Sequence, residues 1–386
     1  MSTKPLVVRN AAWNWSGMAV NTDDMASAEA EPAWLWSGRI PALDGLRAIA
    51  VGLVLLAHAH QTRGFPELPV LHAIGRKGGV GVEIFFVISG FLITTLILRE
   101  RDRTGRLALG PFYLRRILRI VPVYVCFLLV VAILQVLSLV QLRGRDWFAA
   151  ATYTVNFLLS PAWEIGHAWS LSIEEHFYLV WPFLLSLAPQ LGLRVAATCM
   201  ALCFAARWAV MITSPSLTPM AELWTFTRLD SIATGCLLAF LARDEAWRRR
   251  LDLACRGIGP VTAILALLLG SLSASGYSAK FSVGIGYSLN SMCIAMLMWT
   301  AMRSGGTWLG RVLDHWALVS VGVTSYSLYL WQQLFLNPRN DGILCTFPIN
   351  LALAVIVAYS SYYLIERPFL RLKAGIVPAI APPERS

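Results

Sequence analysis

Arg47 and His58 are the two residues of this sequence whose types and spacing most clearly suggest chemistry. They stand at the two ends of one apolar stretch, eleven positions apart. On an α-helix, eleven steps rise roughly 16 Å and return to within about 20° of the same face. One helix face would therefore carry a permanent cation near one end and a titratable imidazole near the other. Ionisable residues within a membrane span are usually functional; an interfacial arginine and a packed histidine are the alternative.

A second group of arginines enters a later apolar stretch. Arg116 and Arg119 are three positions apart, which places them on one face of a helix. Together with Arg47 they could form a cluster of planar guanidinium groups, which suit phosphate well. The sequence therefore predicts a site for a phosphate-bearing donor, with simple anchoring by positive charge as the alternative.

Three acidic residues could serve the imidazole. Glu83 lies about one turn inside the second apolar stretch, where it could contact the imidazole and orient it, or face solvent. Glu174 and Glu175 lie at the start of the fourth stretch, near Trp169 and Tyr178. Paired carboxylates beside aromatic side chains indicate an acid/base or sugar-binding site, although a helix N-terminus also favours acids. We expect catalytic roles for Glu83 and Glu174. We expect Glu175, Trp169 and Tyr178 to lie on the acceptor side.

The composition is that of a polytopic membrane protein. Hydrophobic residues make up 57% of the 386, charged residues only 14%, and the mean hydropathy is +0.61. The net charge of +10 does not indicate nucleic-acid binding, because the arginines cluster in short segments between apolar spans. The seven cysteines lie mostly in apolar stretches and show no Cys-x-x-Cys pairing. We therefore expect no disulfide, no metal site and no bound cofactor.

The apolar stretches predict an all-α bundle of about ten transmembrane helices. They lie near Leu46–Gln61, Val80–Leu98, Tyr113–Val140, Leu171–Leu187, Val195–Ile212, Ile232–Leu241, Ile258–Leu272, Val283–Met302, Leu318–Leu336 and Leu351–Ile365.

Charge distribution sets the expected orientation. The arginine-rich segments at 99–119 and 243–256 should be cytoplasmic, which requires an even number of crossings between them. Trp147–Leu159 is then re-entrant or lies at the outer interface. We expect both termini in the cytoplasm, with tails at 1–38, which we expect to be disordered, and at 374–386 around a membrane domain at 39–373.

Taken together, these segments resemble the acyltransferase-3 family of integral membrane O-acyltransferases. The matching segments occur in the family's order and extend over roughly Ile40 to Leu372. They are Leu43-Asp-Gly-Leu-Arg47 with His58 at the Arg-x10-His spacing, Gly81–Ile93, Arg116-x-x-Arg119, Trp169–Tyr178, Arg228–Gly235, Ser325–Trp331 and Glu366–Phe369.

The resemblance implies transfer of an acyl group, most often acetyl from cytoplasmic acetyl-CoA, to a hydroxyl of a cell-surface or secreted glycan. Peptidoglycan, exopolysaccharide and the O-antigen of lipopolysaccharide are acceptors in the family. It also implies that Arg47 and His58 are central, that Arg116 and Arg119 help to bind the donor, and that Glu174 is a functional acid. The imidazole would act as general base or accept the acyl group itself. Both routes are open.

The sequence departs from the family pattern at two positions. Gln332 stands where many relatives have histidine, and His176 stands where relatives often have glutamine. We also expect no appended hydrolase-like domain, and we therefore expect the chain to deliver the acyl group itself or to pass it to a separate periplasmic protein.

Two other functions compete with glycan acylation in the inner membrane. A macrolide or a glycolipid could be the acceptor, reached from the bilayer. A proton-coupled transporter or flippase could use the same imidazole and acids as a proton relay. The sequence shows no convincing internal repeat of the kind that transporters have, which favours the enzyme.

Overall fold

All regular elements in the described part of the chain are helices. The computed structural model describes residues 40–255, 260, 264 and 281–376. The helices are α1 Pro41–Ala59, α2 Pro69–Gly75, α3 Gly79–Thr104, α4 Leu109–Val136, α5 Gly144–Ala151, α6 Trp163–Gly166, α7 Ala168–Leu187, α8 Gly192–Thr213, α9 Thr225–Leu241, α10 Glu245–Ala254, α11 Tyr287–Arg303, α12 Trp308–Leu313, α13 Trp316–Val323, α14 Ser325–Phe335, α15 Ile349–Ser361 and α16 Arg367–Ile376.

Short 3-10 and π segments join several of these helices. The 3-10 turns are Val155–Phe157, Pro189–Leu191, Pro215–Leu217, Met220–Glu222 and Ile343–Cys345. The π segments are Ser282–Gly286, which precedes α11, and Tyr362–Glu366, which connects α15 to α16.

Six helical segments are long and apolar enough to cross a membrane: α1, α3, α4, and the segments that contain α8, α11 and α15. A seventh would be the segment of α9 and α10, which bends by 119°. An apolar span of this length matches the thickness of the hydrocarbon core, so the part of the chain that the structure describes has the architecture of an all-helical, multi-pass membrane protein. The finer expectations, about ten spans and cytoplasmic termini, stay predictions.

Two of the predicted segments differ from a simple span. Leu318–Leu336 is divided at Thr324 into α13 and α14, and the Thr324 hydroxyl donates to the carbonyls of Ser320 and Val321. Trp147–Leu159 contains only the end of the eight-residue α5 and a 3-10 turn, and α5 rises about 12 Å, too little to cross. Ile258–Leu272 lies outside the described residues except for positions 260 and 264.

Close glycine contacts fix the helices that carry the polar residues. A Cβ at Gly90 of α3 would lie 1.9 Å from the Ile232 carbonyl oxygen of α9, and one at Gly235 would lie 2.0 Å from the Val87 carbonyl oxygen of α3. A Cβ at Gly322 of α13 would similarly meet the Asp44 backbone of α1. Small residues therefore let α3 approach α9, and α13 approach α1, at backbone distance.

Candidate functional site

Helix α1 presents Arg47 and His58 on one uninterrupted element. The helix starts at Pro41, a residue whose fixed φ suits the first helical turn, and continues to Ala59. Its length confirms the predicted rise of about 16 Å between the two residues. The two ends of α1 therefore define two regions of the site, one around the guanidinium and one around the imidazole.

Three arginines come together at the first end. Arg47 donates to the Asp44 carboxylate at 3.2 Å. The Arg116 guanidinium lies over the Tyr178 ring at 5.5 Å, and both Arg47 and Arg119 lie within electrostatic range of it. We call Arg47, Arg116 and Arg119 the arginine cluster. Acidic side chains, among them Asp44 and Glu174, lie within electrostatic range of these three half-buried cations. The planar guanidinium groups are nevertheless of the type that binds phosphate oxygens well.

The arginine next to this cluster in sequence behaves differently. Arg115 forms a 2.9 Å ion pair with Glu100, whose other oxygen accepts from the backbone N–H of Ala108. Because its charge is matched, Arg115 serves the α3–α4 connection, whereas Arg116 faces the cluster.

Glu174 and Tyr178 lie at the arginine cluster. The Tyr178 hydroxyl donates to Glu174 at 2.8 Å, and the Ser89 hydroxyl donates to the other carboxylate oxygen at 3.2 Å. The carboxylate also faces the charges of Arg47 and Arg119. The structure thus places Glu174 and Tyr178 beside the arginine cluster, whereas the sequence predicted Glu174 at the depth of His58 and Tyr178 on the acceptor side. One α7 turn separates the two residues, so they share a face.

Glu83 belongs to a separate buried network. Its carboxylate lies 3.6 Å from the Arg228 guanidinium, and Asp230 pairs with Arg207 at 2.9 Å. All four side chains are at most 3% exposed. We call Glu83, Arg207, Arg228 and Asp230 the ion-pair network. The predicted contact between Glu83 and His58 is absent from the described structure.

Helix packing explains this correction. Glu83 and Gly90 are seven residues apart on α3, and Arg228 and Gly235 are seven apart on α9, so each pair lies on one helix face. The glycines bring the two faces together and thereby bring the carboxylate to the guanidinium. The matching spacing in the two motifs is the sequence signal that could have predicted the pair.

The second end of α1 is surrounded by buried polar groups that are poorly matched with one another. The imidazole of His58 meets the Trp163 ring edge-on at 5.8 Å between centroids, and it lies beside the Gln332 side chain and the buried His167. Its Nδ1, both ring nitrogens of His167 and both polar atoms of the Gln332 carboxamide are buried and reach no well-formed hydrogen bond, although these side chains are close neighbours. We call His58, Trp163, His167 and Gln332 the histidine chamber.

Two neighbouring glutamines show that this lack of partners is local. Gln333 donates to the Trp163 carbonyl at 2.6 Å and accepts from the His167 backbone N–H at 3.2 Å. It thereby fixes α14 to α6 and to the start of α7. Gln332 is fully buried and makes neither kind of bond. Buried polar groups are nearly always hydrogen-bonded, so an unbonded carboxamide beside a histidine indicates a binding surface.

Two predicted site residues remain, Glu175 and Trp169. Glu175 faces the tyrosines Tyr124 and Tyr153 and the charge of Arg116. Trp169 packs edge-on against Phe86 at 6.0 Å between ring centroids.

His176 faces away from the chamber. Its Nδ1 lies 2.8 Å from the Thr225 hydroxyl, and its ring stacks on Phe157. This departure from the family pattern therefore supports packing between α7 and α9.

Sequence reasoning missed two members of the histidine chamber. Trp163 lies on the four-residue α6, which no apolar periodicity marks, and His167 lies within a motif whose acids drew attention first. The unusual glutamine at position 332 was the available signal for the chamber. No group of three or more possible metal ligands occurs among the residues that the structure describes, and all seven cysteines are free.

Comparison with known proteins adds a family to this geometry. The family model described as an acyltransferase domain matches residues 40–365. A putative O-acetyltransferase of Staphylococcus aureus strain COL is 29% identical over 368 residues, which cover 86% of this chain and 57% of that protein. The peptidoglycan O-acetyltransferase OatA of Listeria monocytogenes serovar 1/2a is 29% identical, over 85% of this chain and 55% of that protein.

A third relative, the O-acetyltransferase OatA of Staphylococcus aureus strain MRSA252, is 28% identical over 90% of this chain and 60% of its own length. The chain thus spans somewhat more than half the length of the curated relatives it matches. No solved structure matches it.

Proposed function

The chain belongs to the acyltransferase-3 family, and we propose that it transfers an acetyl group from an acyl-CoA donor to a hydroxyl of a cell-surface glycan. The observation that carries this proposal is the pairing, on one helix, of the arginine cluster with the histidine chamber about 16 Å away. One end suits a phosphate-bearing donor, and the other offers a base among unoccupied hydrogen-bonding groups.

The arginine cluster would hold the phosphates of the donor. Guanidinium forks bind phosphate oxygens in pairs, and three of them here lie within electrostatic range of one another. The distance along α1 is comparable to the length of an extended pantetheine arm, so a donor held at Arg47 could place its thioester beside His58. The glycan would then enter from the opposite side of the bundle.

The chemistry at His58 would be general-base catalysis. The neutral imidazole takes the proton of the acceptor hydroxyl while the hydroxyl oxygen attacks the thioester carbonyl. The tetrahedral intermediate expels the CoA sulfur as the C–S bond breaks, and the imidazolium returns its proton to the thiolate. The products are the acetyl ester and CoA with a free thiol. No metal or further co-reactant is needed to balance the step.

Gln332 would stabilise the intermediate. Its carboxamide N–H groups are buried, form no well-formed hydrogen bond and lie next to the imidazole. Donors that are held in place before the reaction stabilise a developing oxyanion without reorganisation. The acceptor for these donors would be the carbonyl oxygen of the thioester as it gains charge.

The acids would have supporting roles. Glu174, held by Tyr178 and Ser89, would orient Arg47 and Arg119 for the donor, and its functional importance would come from that position. Glu83 would be a structural partner of Arg228, because its ion pair lies within the ion-pair network.

Relatives named for peptidoglycan favour a cell-wall glycan as the acceptor, and the expected location is the cytoplasmic (inner) membrane. An alternative route passes the acyl group to a separate acyl-handling protein, which completes the transfer. We propose direct transfer first, since the histidine chamber holds groups for both the base and the oxyanion.

Labelled acetyl-CoA tests the proposal directly. Membranes that contain the wild-type chain, His58→Ala or His60→Ala are incubated with labelled acetyl-CoA and glycan strands, and label in the glycan is measured. His60 is the matched control, because its ring lies against the Leu56 carbonyl and the His72 ring, outside the chamber. We expect transfer by the wild type and by His60→Ala, and loss of transfer in His58→Ala. Equal transfer by all three would refute the assignment of His58, and no transfer by any would refute the donor or the acceptor.

A further inference from the structure

A cavity opens beside the histidine chamber. It has a volume of about 490 Å³ and is lined by Gln141, Arg143, Asp146, Ser160, Pro161, Ala162, Trp163, Gly166, Gln333 and Arg339. That volume lies within the range of roughly 300–1,000 Å³ that is usual for small-ligand pockets. Its Trp163 wall is the ring that meets His58, and Gln333 connects the cavity to the backbone of His167. A ligand in this cavity would therefore lie next to the proposed base.

Two unpaired arginines line the cavity. Arg143 and Arg339 are exposed, and neither forms an ion pair with a carboxylate in the described structure. The Arg339 guanidinium lies over the Trp163 ring at 5.5 Å, so it covers part of the aromatic wall. Cations lacking acidic partners at a cavity rim favour a negatively charged ligand.

The cavity also contains a buried acid with an unused oxygen. Asp146 is 2% exposed, and its Oδ2 accepts from the Arg143 backbone N–H at 2.9 Å, which closes the first turn of α5. Its Oδ1 is buried without a partner. A carboxylate oxygen of this kind accepts hydrogen bonds from hydroxyl groups, which every sugar supplies.

Arg145, a neighbour of Arg143 in sequence, has a different role from the two arginines that line the cavity. Arg145 lies on the same helix but donates to the carbonyls of Leu159 and Ser160, and thus holds the loop after α5. Its donors are used within the protein and it does not line the cavity. Arg143 and Arg339 differ from it in both respects.

We infer that this cavity is the acceptor subsite and that it selects a saccharide bearing a carboxylate. Trp163 forms its apolar wall, Asp146 accepts from a sugar hydroxyl, and Arg143 with Arg339 binds the carboxylate in a paired geometry. This inference rests on the proposed function, because it supplies the acceptor for the acyl group. It adds that the acceptor is anionic and names the residues that recognise its charge.

Calorimetric titration of the purified full chain in detergent tests the inference without the transfer reaction. The first probe is a tetrasaccharide of alternating N-acetylglucosamine and N-acetylmuramic acid. The second is chitotetraose, which lacks the lactyl ether groups altogether, and the third is the lactyl methyl ester of the first, which keeps the shape without the charge. We expect the acid to bind at least about tenfold more tightly than either neutral probe.

Variants of the chain test which residues cause the preference for the acid over the neutral probes. Arg143→Ala with Arg339→Ala should remove the preference for the acid and leave the affinity for chitotetraose unchanged. Arg76→Ala is the matched control, because it removes an exposed cation that does not line the cavity. Equal binding of acid and ester by the wild type, no binding of any probe, or an unchanged preference in the double variant would overturn the inference.

Labelled acetyl transfer by the same preparation distinguishes failure of the anionic subsite from failure of the proposed acyltransferase function. Transfer by a wild type that shows no preference for the acid would overturn the anionic subsite alone. A preference for the acid in the wild type that is lost in the double variant would support the subsite even if acetyl-CoA proved to be the wrong donor.

Discussion

The histidine chamber and the ion-pair network are both buried polar regions, yet their charges are matched differently. In the network each carboxylate has an arginine, Glu83 with Arg228 and Asp230 with Arg207, and the side chains are almost fully excluded from solvent. In the chamber the imidazole lies beside an amide, an indole and a second imidazole, with no carboxylate among them.

This difference separates structural from chemical use of the same residue types. Buried charges that have opposite partners hold helices in register, and removing one partner leaves the other uncompensated. Neutral polar groups left without partners cost stability and are kept where a ligand will use them. We therefore place the scaffold at the α3–α9 contact and the reaction at the second end of α1.

The largest expected effect comes from breaking the buried pair at Arg207. Arg207→Met leaves Asp230 as an unpaired buried charge and should lower the free energy of unfolding by about 3–5 kcal/mol. Unfolding can be followed in detergent with a thiol-reactive dye, because several of the free cysteines are buried. Addition of Asp230→Asn to the same chain should recover part of the loss. An unchanged unfolding midpoint in Arg207→Met would contradict the structural role of the network.

The two adjacent glutamines should separate activity from stability. Gln332→Leu removes a donor that bonds nothing in the protein, and it should lower kcat about 10²–10³-fold with little change in unfolding. Gln333→Leu breaks two hydrogen bonds and should lower the free energy of unfolding by about 1–3 kcal/mol. Turnover and unfolding midpoints of both variants are compared. If both positions affected only stability, Gln332 would be an ordinary packing residue.

The smallest of these effects concerns the arginine cluster. Arg116→Lys keeps the charge but loses the planar fork, and it should raise the KM for acetyl-CoA about tenfold with kcat little changed. Arg115→Lys is the control, since Arg115 pairs with Glu100 and should leave the donor KM unchanged. Steady-state kinetics at several donor concentrations decide between them. Equal KM values for both variants would remove Arg116 from the donor site.

Local patterns predicted the parts of the site that one helix or one turn determines. The register of Arg47 and His58 followed from helix geometry, and Arg116 lies within electrostatic range of Arg47 and Arg119, as the predicted cluster requires. Glu174 was predicted to lie near His58 and instead lies near the arginine cluster. It is seven positions beyond His167 along α7, and this length of helix carries it towards the arginines.

Contacts between distant segments were the part that the sequence did not reveal. Glu83 pairs with Arg228 because two glycines bring α3 and α9 together, which depends on residues about 145 positions apart. The histidine chamber combines α1 with α6 and α14, and α6 has only four residues. The division of the predicted span at Thr324 also depends on hydroxyl bonds that apolar periodicity does not report.

The different roles of the histidine chamber and the ion-pair network are tested most directly by measuring His58→Ala and Glu83→Gln side by side. Labelled acetyl transfer per folded molecule and the unfolding midpoint are measured for both. We predict that His58→Ala loses transfer by about 10²–10⁴-fold and unfolds like the wild type. We predict that Glu83→Gln unfolds at a lower temperature, while its folded fraction keeps its activity within roughly threefold, because the ion pair it loses stabilises the fold. An active His58→Ala, or a stable but inactive Glu83→Gln, would contradict the assignment of the two regions.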